Sequence, residues 1–143
     1  MKKKYYYLSS LVLIFVIPAS IAGYFILPYI AVPRLLLFVA IIAVVGSLWD
    51  LWATRHGTKD PVWLWNFNSR ETLGIKFLGL PIEEYLFYVC SSVYVVFGWE
   101  ILSRAFDTGD STYYILIPAL GLWTLASLIV PYHFTSKGDK VIG

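Results

Sequence analysis

The chain has 143 residues, of which 59% are apolar, 18% aromatic and only 14% charged, with a formal net charge of +2. Soluble domains carry about 25% charged residues, so the composition indicates an integral membrane protein. The single cysteine, Cys90, excludes an intrachain disulfide and a cysteine-cluster metal site. The small charge, without a basic stripe, argues against nucleic-acid binding.

A spanning helix needs roughly 20 apolar residues, and four runs meet that length. The first covers approximately 5–30 and follows the basic start Lys2-Lys3-Lys4, with Pro18 and Pro28 as points where it kinks or ends. This start also has features of a secretory signal, a basic n-region and small residues at 19–23. The apolar run continues through Tyr24-Phe25-Ile26-Leu27, longer than a usual signal core, so a spanning helix is expected. A turn at Val32-Pro33-Arg34 leads into the second run, 34–52.

Residues 54–80 are neither a spanning helix nor a plain loop. Trp63, Trp65 and Phe67 alternate there with Leu64, Asn66 and Asn68. The pattern fits an interfacial aromatic belt; the sharper alternative is a set of rings lining a cavity, where aromatic faces stabilise a cation. Gly57, Gly74 and Gly79 read as turns. The third run, 81–102, opens on Pro81-Ile82-Glu83-Glu84, and the fourth covers 113–132. The expected fold class is all-α integral membrane, with about four transmembrane helices in a single domain over 1–143, in the cell membrane.

Lysine and arginine bias sets the topology. With a cytoplasmic N-terminus, Lys2, Lys3, Lys4, Arg55, Lys59, Arg70, Lys76, Lys137 and Lys140 fall inside, and only Arg34 and Arg104 fall outside. Both termini are therefore expected to be cytoplasmic. Asp50, ending the second helix, and Glu83 and Glu84, opening the third, then share one membrane depth. Ionisable groups there are costly and mark function by default.

Two readings of the glutamates stand side by side. Pro81 suits a first helical turn, because it has no N–H to lose, and carboxylates at a helix N-terminus complement the macrodipole. Alternatively, paired carboxyls in an apolar setting retain a proton through desolvation and mutual repulsion, which is what an acid catalyst requires. Glu83 shares a helical stripe with Phe87, and Glu84 with Tyr88. Elsewhere, Glu100 reads as an interfacial acid, and His56 and His133 lack metal-ligand spacing. Cys90, Ser91 and Ser92 read as helix-packing residues.

The stretch "LPIEEYLFY" resembles the signature of the membrane-bound lycopene cyclases of bacteria, archaea and fungi, in which Pro-x-Glu-Glu opens a transmembrane helix. The likeness extends upstream through "LWDLWATRHG", "WLWNFN" and "ETLGIKFLG", covering roughly 34–103. It implies a non-redox isomerisation of the acyclic ends of a carotenoid such as lycopene, needing no cofactor. A proton adds to the terminal double bond, an internal double bond attacks the cation, and a proton leaves. Carried onto this chain, Glu83 and Glu84 are the acid/base pair, with Asp50 a third member by depth. Trp49, Trp63, Trp65, Phe67, Tyr85, Phe87 and Tyr88 are the aromatic residues available to wall the substrate. Fused members of the family carry two such halves, whereas this chain has one Pro-x-Glu-Glu, so it resembles one small subunit acting as a heterodimer or a homodimer. C40 and C50 carotenoids remain open as substrates.

Three rivals remain. Intramembrane prenyl proteases also carry adjacent glutamates, but as Glu-Glu-x-x-x-Arg, and position 88 here is Tyr. A proton-transport subunit would need acids along the bundle, and only Glu100 lies towards the other face. A non-catalytic assembly subunit of a cyclase would use the glutamates only as a helix cap.

Overall fold

The computed structural model describes residues 3–54 and 70–136, with side chains described for 4–54 and 70–129. Among the described residues, four helices are long and apolar enough to cross a membrane. They are α1 (Tyr6–Tyr29), α2 (Val32–Ala53), α3 (Ile82–Thr108) and α4 (Ser111–Ser136). The protein is a multi-pass integral membrane protein.

α1 runs on through Pro18 instead of breaking. Its residues Val12–Val16 widen into a π turn, in which the Ile17 N–H reaches back to Val12 O. The next bond in that series would come from residue 18 to Leu13 O, but proline has no N–H. The indole of Trp123 on α4 takes the vacated carbonyl instead, donating from Nε1 to Leu13 O at 2.8 Å. Bilayer hydrocarbon has no water to satisfy such a group, so the proline ties α1 to α4.

α3 is the central helix and packs against α1, α2 and α4. Helix association inside a bilayer relies on close packing of small residues. Ala19, Ala22 and Gly23 of α1 serve that purpose against Phe97 and Ile101 of α3, with Tyr113, Leu116 and Leu120 of α4 completing the core. Gly109, at φ +65°, turns α3 sharply into α4. Asp110 then opens α4 by accepting from the Thr112 N–H at 2.9 Å.

Before α3 the chain forms a small ribbon in which β1 (Lys76–Phe77) pairs antiparallel with β2 (Leu80–Pro81). Leu78 and Gly79 both have positive φ, 50° and 86°, the backbone sense of the tight turns that match strand twist. Ile82 N donates to Ile75 O at 3.0 Å, so the ribbon is fixed to the first residue of α3. Pro81 is the N-cap of that helix, one position earlier than the first helical turn. Trp63, Trp65 and Phe67 lie outside the described residues.

Candidate active site

The start of α1, the end of α2 and the start of α3 meet at one end of the bundle, and the acids meet with them. Asp50 is 3% exposed, Glu83 0% and Glu84 7%. Burying three carboxyl groups together is costly unless each finds partners. Tyr7 of α1 donates its hydroxyl to Glu84 Oε1. Tyr88 donates to Asp50 Oδ2 at 2.6 Å. Asp50 also stands within hydrogen-bonding reach of Glu84, and Glu83 acts on Glu84 from the adjoining position.

Glu83 is held differently. Its Oε1 accepts from the Leu73 N–H at 2.5 Å, which ties the link ahead of the ribbon to the first turn of α3. Its Oε2 is buried and has no hydrogen-bond partner among the described residues. Buried polar atoms in folded proteins are nearly always paired, which sets this oxygen apart among the described residues. The same link is fastened to α1, where Tyr7 N donates to Glu71 O at 3.2 Å.

Both glutamates occupy the first turn of α3, where the macrodipole favours negative charge. Their hydrogen bonds among the described residues nevertheless run to Leu73 and Tyr7, away from the helix's own N–H groups. The helix end supplies a field and other elements supply the partners.

Aromatic rings continue from this cluster into the bundle. Tyr88 meets Phe87 edge-on at 5.3 Å between centroids, Phe87 meets Phe15 at 5.7 Å, and Phe15 meets Tyr94 at 5.8 Å. Gly46, one turn before Asp50 on α2, leaves the space that the Tyr88 ring fills. Tyr85 stands outside the cluster, its hydroxyl donating to Phe77 O at 2.8 Å and its ring edge-on to Phe77. Trp49 is half exposed on α2 and pairs with Trp52 at 5.2 Å.

A sequence profile described as lycopene cyclase matches residues 3–102. The chain belongs to the lycopene cyclase family. The match takes in α1, α2 and nearly all of α3, and with them every member of the carboxyl cluster and both tyrosines that bond to it. Curated proteins and solved structures gave no match.

Tyr7, Phe15 and Gly46 pack into this candidate site, and the sequence reading did not single them out. Tyr7 was hidden in the Tyr5-Tyr6-Tyr7 run, which has the look of an interfacial anchor. Gly46 carried a usable signal, since a glycine inside a helix costs about 1 kcal/mol relative to alanine and so asks for a packing reason. At the far end Glu100 accepts from Arg104 at 3.0 Å, and the Arg104 guanidinium lies over the Tyr29 ring at 3.4 Å. Glu100 is thus part of an interfacial ion pair, remote from the cluster.

Proposed function

We propose that this chain is a catalytic subunit of a carotenoid cyclase, closing the acyclic end groups of lycopene or a related polyene by acid-initiated, non-redox cyclisation. The observation that carries this reading is the fully buried Glu83 Oε2, without a hydrogen-bond partner among the described residues, beside the Asp50–Glu84 pair.

Two carboxyl groups hydrogen-bond only through a proton that one of them carries. The cluster therefore has the chemistry to store one proton out of water. Glu83 is the group with an open oxygen, and in this reading it takes that proton from the adjoining pair and delivers it to the terminal double bond. A tertiary cation forms, the neighbouring double bond attacks it to close the ring, and a carbon–hydrogen bond gives its electrons back to the new alkene. Glu84 or Asp50 accepts the released proton, so atoms and charge balance with no oxidant.

Tyr7 and Tyr88 hold the accepting carboxyls in place, and the Tyr88 and Phe87 rings offer the cation π density beside the buried carboxyls. Residues 1–143 act as one cyclase domain with both termini in the cytoplasm, which puts the carboxyls at the cytoplasmic face. A single Pro-x-Glu-Glu supports assembly with a second subunit, or with another copy, to complete the enzyme. Trp63, Trp65 and Phe67 belong to the proposed substrate wall, with Trp49 and Tyr85 at its margin.

The test is pigment analysis in a lycopene-accumulating host expressing the chain alone and with its genomic neighbour. Cyclic carotenoid is expected from the wild type, and about a hundredfold less or lower still from membrane-inserted Glu83→Gln or Glu84→Gln. Unaltered lycopene in every arm, repeated with a C50 precursor, would overturn the reading.

A further inference from the structure

A second feature of the bundle lies outside the carboxyl cluster. A groove of about 680 Å³ runs between α1 and α3, starting at Phe15 and Val89 and continuing to Leu27 and Pro28. That volume is within the roughly 300–1,000 Å³ of small-molecule sites. Its α1 wall extends from position 15 to 28, about 20 Å at 1.5 Å per residue. It is long and almost entirely apolar, and no charged residue lines it among the described residues. We propose that this groove holds the linear polyene of the substrate whose end group reaches the carboxyls.

Three observations favour a long acyclic isoprenoid as the occupant. First, the groove and the acids are joined by an unbroken chain of contacts. Phe15, at the groove's end, touches Phe87, Phe87 touches Tyr88, and Tyr88 bonds to Asp50. Second, Glu83, Cys90 and Phe97 recur at seven-residue intervals along α3, so they lie within about 40° of one stripe. Cys90 and Phe97 line the groove, which puts the open carboxyl of Glu83 roughly in line with it, two turns away.

Third, the floor is shaped by a missing side chain. A β-carbon on Gly23 would lie 3.0 Å from the Phe97 ring, so the helices touch there and the groove is shallow at that point. A shallow, uncharged trough suits a rigid hydrocarbon rod and offers nothing to a phospholipid headgroup. The cluster and the groove are then two parts of one site, reactive end and tail. This rests on the cyclase reading for its substrate class, but its test is independent of turnover.

Cys90 is the only cysteine in the sequence and sits in the groove wall, partly exposed. The protein, with its partner subunit where activity requires one, is placed in phosphatidylcholine vesicles as the Glu83→Gln variant, and Cys90 is alkylated with a membrane-permeant maleimide. With lycopene at about ten times its half-saturating level, occupancy slows alkylation about tenfold. Vesicles without lycopene already hold phospholipid chains, so a lipid-filled groove gives no difference. A second variant, Ser20→Trp, places bulk in the groove from a lipid-exposed position of α1.

Lycopene-dependent protection of Cys90 that is lost in Ser20→Trp supports the proposal, whether or not the wild type forms rings. Unchanged alkylation with lycopene, in a preparation whose wild type does form rings, overturns it and leaves the cyclase reading intact. Unchanged alkylation in a preparation that forms no rings overturns both.

Discussion

Gly46 and Tyr88 compete for one volume: a β-carbon at position 46 would stand 2.2 Å from Tyr88 Cε1. The tyrosine is there because its hydroxyl must reach Asp50, four residues further along α2, at 2.6 Å. Gly46→Ala is therefore expected to push the ring off the carboxyl. Overpacking of this kind costs about 1–3 kcal/mol, read as a lower unfolding midpoint in detergent. In a Tyr88→Ala background the same alanine has room, so most of its cost should vanish. Additive losses in the double variant would show that the two positions do not share space.

Tyr7→Phe deletes one hydroxyl and nothing else from the α1 side of the cluster. A hydrogen bond to a charged or strongly polar group contributes about 1.5–3 kcal/mol, and ring formation is expected to fall as Glu84 loses its anchor. The Glu84→Gln variant already lacks the acid, so adding Tyr7→Phe to it should lower ring formation no further. An undiminished yield in Tyr7→Phe membranes would remove this tyrosine from the working site.

How much of this was legible in the sequence follows from distance along the chain. The four spans come from local composition, and the bilayer demands helices of that length. Asp50, Glu83 and Glu84 could be assigned one depth by counting residues along two helices. Tyr7 could not, because its partner lies 77 residues away and a tyrosine near a membrane edge has an ordinary reason to be there. Nor could the π turn, whose cause is local, Pro18, but whose consequence, the Trp123 bond, lies 110 residues away. The groove has the same origin: its two walls become neighbours only when α1 and α3 pack.

Glu83→Gln separates stability from chemistry. The side-chain amide keeps an oxygen for the Leu73 N–H, which Oε1 now serves, and removes the ionisable group from a site with no solvent exposure. Active sites often retain groups that stability alone would discard. The variant is expected to unfold at the same temperature as the wild type or higher. Its ring formation should fall about a hundredfold or more, the scale of a lost acid catalyst. A destabilised variant with normal pigment conversion would identify Glu83 as a structural cap.

Trp123→Phe tests the proline-linked carbonyl. The substitution keeps an aromatic ring on α4 but withdraws the indole N–H from Leu13 O. A backbone acceptor left unsatisfied in the bilayer hydrocarbon, where no water can replace the indole, costs about 1–3 kcal/mol. The compensating variant is Pro18→Ala, which restores an N–H at position 18 and lets α1 close its own ladder. Trp123→Phe should thus be costly with Pro18 present and nearly silent with Pro18→Ala, as read by thermal unfolding of the detergent-solubilised protein. Equal losses in both backgrounds would mean that the tryptophan contributes packing alone, and that the π turn satisfies its carbonyls without help from α4.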